Sequence, residues 1–114
     1  MSKQAFVVDL KRNDEYQPIL VGEPQTCGMR SGRVCLLAGQ ACGKHSTNAH
    51  EETLIFLSGQ GQALIGEEKT CYPVDNGKVL YIPPHTLHNI NNLGNEPLVY
   101  IYCVAPISKE DLIK

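Results

Sequence analysis

The residues of this sequence that could bind a metal ion are concentrated in two short segments. Residues 43–61 contain His45, His50 and Glu52, and residues 77–92 contain His85 and His88, so these segments hold all 4 histidines of the chain. Neutral imidazole and carboxylate suit Zn, Fe, Mn, Ni or Cu. The sequence therefore predicts a divalent transition-metal site, without choosing the metal, in a pocket where the two segments meet.

Each segment runs into a strand-like sequence, and strand geometry predicts which side chains share a face. Side chains two residues apart in a strand point the same way. If a strand begins near residue 50, His50, Glu52 and Leu54 all face the core. An ionised glutamate facing a core is costly unless it is paired or bound to a cation. In the second segment, His85 and His88 are three residues apart, so in a strand their side chains point to opposite faces and only one of them faces inward.

The rest of the chain predicts short β-strands spaced by about 8–12 residues, a pattern typical of an all-β antiparallel sandwich or barrel. Strand-like runs cover residues 5–10, 29–38, 53–57, 62–66, 69–74, 78–82, 86–91 and 98–105. Pro73 predicts that its strand lies at a sheet edge. The apolar run at residues 98–105 predicts a strand buried on both faces. Ser108, with Asp111 three residues on, predicts the N-cap of a short C-terminal helix.

Composition narrows the class of protein. A length of 114 residues predicts one domain, and such a chain buries roughly two-thirds of its unfolded surface. A net charge of −2 without a basic block argues against nucleic acid or an anionic membrane as the partner. The 5 cysteines include no CxxC pair, and no signal peptide begins the chain, so we expect reduced thiols and a cytoplasmic protein. Cys35, Cys42 and Cys103 are expected as small core residues.

The two segments resemble the paired motifs of the cupin superfamily. The matching anchor positions are Gly39, His45, Glu52 and Gly59 in the first motif, and Gly77, Pro83, His88 and Asn92 in the second. The resemblance covers about residues 30–105. It implies a jelly-roll-like antiparallel β-barrel in a single cupin domain spanning residues 1–114, with the metal site inside the barrel.

Two positions depart from the family pattern. The second histidine of the family's His-x-His is Thr47 here, and His85 stands where the family usually has glycine. The resemblance carries metal binding over directly to three residues only: His45, Glu52 and His88. His50 is the candidate to replace the lost ligand, because it shares a strand face with the glutamate. Alternatively, His50 lies at the barrel mouth and contacts solvent or substrate.

The resemblance leaves the function open, since cupins include dioxygenases, decarboxylases, sugar-phosphate isomerases, storage proteins and sensing domains. One hypothesis is a metal-dependent enzyme, dioxygenase-like or isomerase-like, that acts on a small polar substrate. Thr47, His85 and Tyr81 are then candidates for substrate contact, and Tyr100 and Tyr102 are expected in the barrel wall. The alternative is a non-catalytic cupin that binds or senses a small ligand. The resemblance also implies a homodimer, for which the strand at residues 98–105 and the N-terminal residues could supply the interface.

Overall fold

The computed structural model describes residues 3–108, which form nine β-strands and contain no helix. The strands are β1 (Gln17–Val21), β2 (Arg30–Leu36), β3 (His45–Ser46), β4 (His50–Ser58), β5 (Gln60–Ile65), β6 (Thr70–Asp75), β7 (Val79–Ile82), β8 (Leu87–Asn91) and β9 (Leu98–Pro106). They pair into one sheet of order β1-β2-β9-β4-β7 and another of order β3-β8-β5-β6. This confirms the all-β, jelly-roll-like fold. Over this range no helix could cross a membrane, and the helix predicted after Ser108 lies outside the described residues.

The core lies between the two sheets and is built from alternate residues of their strands. On β4, Leu54 and Phe56 are 2% and 1% exposed, whereas the intervening Ile55 is 41% exposed. They pack in one cluster with residues of both sheets, including Ala63 of β5 and Ile90 of β8. Full burial of a large apolar side chain contributes roughly 1.5–3 kcal/mol. The period-two pattern predicted for β4 is thereby confirmed, and it leaves Glu52 facing the interior.

The register of the five-stranded sheet brings distant parts of the sequence to one end of the interior. Val104 on β9 lies opposite Arg30 on β2 and opposite Glu52 on β4. These three residues therefore form one row across neighbouring strands, spaced by about 4.8 Å per strand. The next row that faces inward, two residues along the strands, contains Tyr102 of β9 opposite Gly32 of β2.

Thr47, in the loop before β4, forms hydrogen bonds to the turn between β7 and β8 that leads into His88. The Thr47 hydroxyl donates to the Pro83 carbonyl oxygen at 2.7 Å and accepts from the Thr86 backbone N–H at 3.0 Å. The Thr47 backbone N–H also donates to the Thr86 carbonyl oxygen at 3.1 Å. Thr47 is only 7% exposed, so these bonds are shielded from water.

The same turn places His85 in the left-handed region, with φ at 54°. Its backbone N–H donates to the Asn48 carbonyl oxygen at 2.8 Å, which holds it there. A left-handed backbone costs a residue with a Cβ about 1–2 kcal/mol, and glycine avoids that cost. This explains why the family uses glycine here and shows that the histidine carries backbone strain.

Strand pairing and burial correct two expectations about the strands and confirm a third. Residues 5–10, expected as an edge strand or an arm, form no strand; nearby, Gln17 on β1 donates to the Asp9 carbonyl oxygen and Arg33 on β2 donates to the Asn13 carbonyl oxygen. β9 is buried only at its first three residues and is part-exposed from Ile101 to Ala105, so it is not buried on both faces. β6, which contains Pro73, is an edge strand as predicted.

The expectation that cysteines fill the core was also wrong. Cys35 and Cys103 are only partly buried, and Cys42 is exposed, although all three are free thiols. Cys35 and Cys103 alternate with the inward-facing residues of β2 and β9 and therefore lie on the outer face of the sheet.

Replacing His85 by glycine tests the backbone strain in the turn. We expect His85→Gly to be more stable than His85→Ala by about 1 kcal/mol, because alanine removes the ring but keeps the strained φ. Urea denaturation of both variants measures the difference. Equal stability of the two, or a less stable glycine variant, would contradict the strain.

Replacing Thr47 by valine tests the fastening of the turn. Thr47→Val keeps the shape but leaves the Pro83 carbonyl and the Thr86 N–H without the hydroxyl, so we expect a loss of about 1–3 kcal/mol. Thr47→Ser keeps the hydroxyl and removes one methyl group, so its loss should stay near the value of one buried methyl group, about 0.8 kcal/mol. The test compares the free energy of unfolding of the two variants. A valine variant as stable as the serine variant would show that the hydroxyl does not hold the turn.

Candidate metal centre

Three side chains from different strands converge at one end of the barrel interior: His45, Glu52 and His88. Each offers one ligand atom, and these atoms all lie within 4.8 Å of one another. His88 Nε2 is 3.2 Å from Glu52 Oε1, and the rings of the two histidines meet edge to face with centroids 4.1 Å apart. Pairing of β3 with β8 sets His45 opposite His88. The two sequence segments therefore meet as predicted, through these three residues.

Backbone carbonyl groups fix the outer nitrogen of both imidazoles. His45 Nδ1 is 2.8 Å from the Gly43 carbonyl oxygen, and His88 Nδ1 is 3.1 Å from the Thr86 carbonyl oxygen. A carbonyl oxygen can only accept, so the hydrogen-bond network assigns the proton to Nδ1 in both rings. In the neutral rings, the Nε2 lone pairs are then left for the centre of the cluster. Metal-binding histidines are commonly oriented by such a bond on their other nitrogen.

The contact between Glu52 and His88 calls for a positive charge. The two side chains are almost fully buried, and a carboxylate lone pair facing an imidazole lone pair is repulsive. Burial by itself lowers the pKa of His88, but the hydrogen bond to Glu52, the Thr86 carbonyl group and the charge of Glu52 together raise it above its ordinary value. A proton on Nε2 or a metal cation bound to both groups satisfies the contact. The donor set thus fits a metal ion, which His45, Glu52 and His88 could hold.

The cluster opens onto a cavity of about 450 Å³ between the two sheets. Its lining combines the cluster with apolar residues such as Leu54 and Ile90 and with Tyr100 and Tyr102, as expected for these tyrosines as wall residues. Three protein ligands beside a cavity leave coordination positions for water or a substrate, an arrangement found in catalytic zinc sites and in non-haem iron sites.

The tyrosines of the cavity wall are held in their protonated form. Burial raises the pKa of Tyr100, and the neighbouring Cys42 raises it further. Burial and the hydrogen bond to Tyr16 raise the pKa of Tyr102, whose hydroxyl lies 2.5 Å from that of Tyr16. Both phenols therefore keep their protons at neutral pH, with the Tyr100 hydroxyl bonded to Cys42 and the Tyr102 hydroxyl bonded to Tyr16.

Tyr16, in the segment before β1, packs on the wall residue Tyr102, where Gly32 makes room for it. The rings of Tyr16 and Tyr102 are nearly parallel, at an interplanar angle of 12°. A side chain at Gly32 would collide with the hydroxyl of Tyr16 and with the ring of Tyr102. The absence of a side chain on β2 at this point thus allows a residue outside the strands to contact Tyr102.

The other predicted site residues occupy different surroundings. His50 is half-buried and lines the cavity, but it is not part of the three-residue cluster. Thr47 also lines the cavity, although its hydroxyl is already engaged by the β7–β8 turn. Tyr81 points outward, is 56% exposed and donates to Glu51 at 2.8 Å. His85 is exposed, and neither it nor Tyr81 lines the cavity. Their contact with substrate stays a prediction.

Arg30 and Cys42 line the cavity, although no motif of the sequence identified either as a site residue. Cys42 is exposed as a residue, but its thiol is partly desolvated, which raises its pKa, and its sulfur accepts the Ile90 backbone N–H at 3.2 Å. The signal that would have found Arg30 is its register with Val104 and Glu52. That register depends on strand pairing, which residue types do not reveal.

Comparison with known proteins agrees with this geometry. Residues 32–104 match the family model described as "Cupin domain". The uncharacterized protein MJ1618 of Methanocaldococcus jannaschii is 42% identical over 69 residues, which are 60% of this chain and 52% of that protein. The glucose-6-phosphate isomerase of Pyrococcus abyssi is 32% identical over 60 residues, which are 50% of this chain and 32% of the isomerase. The chain therefore spans about half, or less, of the length of these curated relatives.

A solved structure extends the likeness over nearly the whole chain. The Bacillus halodurans protein BH2720 superposes with a TM-score of 0.79 at 23% identity, covering 92% of this chain and 83% of that one. That likeness concerns the fold. Because the family model matches well over half of the chain and contains all three residues of the cluster, the protein belongs to the cupin family.

Proposed function

We propose that this cupin is a metal-dependent enzyme that acts on a small polar substrate, with a divalent transition metal bound by His45, Glu52 and His88. The observation that carries the proposal is the convergence of two imidazole nitrogens and one carboxylate oxygen within 4.8 Å beside a cavity. In the family a second histidine stands where Thr47 stands here. Since the Thr47 hydroxyl is occupied by the turn, the three-ligand set has open positions that suit substrate oxygens.

The chain's own groups around the cluster favour proton-transfer chemistry. A bound divalent metal would supply Lewis acidity toward a substrate hydroxyl or carbonyl oxygen. Tyr100 and Tyr102 offer phenolic hydroxyl groups to substrate oxygens, and Leu54 and Ile90 keep part of the wall apolar. His50 supplies a cavity imidazole outside the cluster, the type of group that most often acts as general base.

Among the reaction types open to a cupin, isomerisation has the most support. An isomerase needs a polarised oxygen and a nearby group that accepts and returns a proton, and the cluster and His50 suit those two roles. The similarity to a glucose-6-phosphate isomerase over half of the chain points in the same direction. We propose isomerase-like chemistry on this basis.

Metal content tests the proposed centre. We expect untagged protein to bind one equivalent of a transition metal, measured by elemental analysis after dialysis. His45→Ala, Glu52→Ala and His88→Ala should each lose more than about 100-fold in metal affinity, beyond what loss of an outer hydrogen-bond partner causes. His50→Ala is the matched control, since it removes an imidazole from the same cavity but not from the cluster, and it should keep its metal.

Two results would contradict the proposed metal centre. One is absence of any bound metal in the unaltered protein across Zn, Fe, Mn, Ni and Co titrations. The other is retention of metal by the three cluster variants. Loss of metal in His50→Ala as well would instead assign this histidine as a fourth ligand.

We also propose that the chain forms a homodimer through the exposed part of the outer face of the five-stranded sheet, around β4 and β7. Ile55 on β4 lies opposite Val79 on β7 and Ile101 on β9, so the three residues form an apolar row. Val79 is 65% exposed and Ile55 is 41% exposed. The segment before β1 lies over another part of this face, where residues 9–14 line a groove with Arg33, Leu57 and Val99. An apolar row that reaches an edge strand is a suitable interface.

Light scattering at micromolar concentration tests the dimer. We expect twice the chain mass of 12.6 kDa for the unaltered protein. Ile55→Glu should give the single-chain mass, because it places a charge in the middle of the apolar row. Leu93→Glu is the control, since Leu93 is 65% exposed in a loop outside this face. A single-chain mass for the unaltered protein would refute the proposal.

A further inference from the structure

We infer that Arg30 is an anion-binding subsite of the metal cavity. The substrate class is then a small molecule that presents an oxygen ligand at one end and a carboxylate or phosphate group at the other. This inference rests on the proposed function for the metal-binding end, but the subsite itself stands on the position and surroundings of Arg30.

The first support is the position of Arg30 relative to the cluster. Arg30 and Glu52 both lie opposite Val104, on the strands at either side of β9. Their backbones are therefore separated by two interstrand spacings, or about 10 Å. All three residues line the same cavity. A guanidinium group and the metal ligands thus share one space, at a separation that a small molecule can span.

The second support is that Arg30 has no anionic partner among the described residues. In residues 3–108 the ion pairs within 4.0 Å are Lys3–Glu23, Lys78–Asp75 and His88–Glu52, and none includes Arg30. Arg33, on the same strand but facing outward, differs: it is 6% exposed and bonds the Asn13 carbonyl oxygen at 2.9 Å. Arg33 has a structural role, whereas Arg30 is an exposed residue of the cavity lining whose donors are accessible to a ligand.

The third support is a contact that positions the Arg30 side chain. Gly22, in the turn after β1, lies against this side chain, and a Cβ at Gly22 would come within 3.3 Å of Arg30 Nη1. The Arg30 side chain therefore packs on the turn after β1 rather than extending freely into solvent.

The charges of the cavity point to an anion. Among its lining residues, Arg30 and Glu52 are the side chains with a full charge when the histidines are neutral. Their charges cancel, so a bound divalent ion leaves the cavity with an excess of two positive charges, which attracts anions. The planar guanidinium fork matches the paired oxygens of carboxylate and phosphate groups. The cavity volume of about 450 Å³ restricts the ligand to a small molecule.

Paired probes test the subsite through binding alone, by calorimetry on Co(II)-loaded protein. 2-Oxoglutarate is compared with 2-oxobutyrate, which lacks the remote carboxylate. Fructose 6-phosphate is compared with fructose, which lacks the phosphate. The variants are Arg30→Gln, which removes the charge, and Arg30→Lys, which keeps it without the fork. Arg12→Gln is the matched control, because Arg12 is exposed and does not line this cavity.

We expect the unaltered protein to favour, in at least one pair, the member that carries the remote anionic group by about 10-fold or more, as charge-assisted hydrogen bonds provide. Which of the two pairs shows the preference tells whether the subsite binds a carboxylate or a phosphate group. Arg30→Gln should abolish most of it, Arg30→Lys should keep part, and Arg12→Gln should leave it unchanged. An equal preference in Arg30→Gln, or no preference in the unaltered protein, overturns the inference.

Metal content, measured beforehand on every variant, reports separately on the proposed function. If the unaltered protein binds no metal, the metal centre fails, and the subsite is decided on metal-free protein with inorganic phosphate. Weaker phosphate binding in Arg30→Gln than in Arg12→Gln then supports the subsite, and equal binding overturns it. If metal binds and the anion preference is absent, the metal centre stands and the subsite fails.

Discussion

The contact between the buried Glu52 carboxylate and the His88 imidazole is the constraint on which this structure depends. A carboxylate that is 8% exposed at the end of an apolar interior must be balanced by a cation or by several donors. Here the balancing group is His88 on β8, in the opposite sheet. The two sheets are therefore held together electrostatically at this end, and by packing of Leu54, Phe56 and Ile90 elsewhere. The same contact makes the interior selective for a positive charge.

Thr47 shows what replaces the second histidine of the family motif. The threonine turns its hydroxyl to the Pro83 carbonyl and the Thr86 N–H. Those bonds steady the turn that leads into β8 and hence the position of His88. The proposed metal centre therefore has one candidate ligand fewer, and the residue at this position instead holds the turn before a remaining one.

Much of the site could be predicted from the sequence because its residues lie in two local motifs. Period-two spacing placed Glu52 and His88 inward, and the motif spacing assigned His45. Arg30 could not be predicted in the same way, since its position in the cavity follows from the pairing of β2 with β9, segments that are far apart in the chain. Burial of β9 was overestimated because an apolar sequence does not reveal how much of a sheet's outer face other elements cover.

The stacking of Tyr16 on Tyr102 over Gly32 means that one wall residue of the cavity is supported from outside the barrel framework. Strand residues of the wall are constrained by pairing with neighbouring strands, so a change in any of them affects the sheet as well as the cavity. Tyr16 lies before β1, outside the named strands. A change in the segment that precedes β1 can therefore alter the packing and hydrogen bonding of Tyr102, and with them the cavity wall, without altering β3, β4 or β8, which carry the His45, Glu52 and His88 cluster.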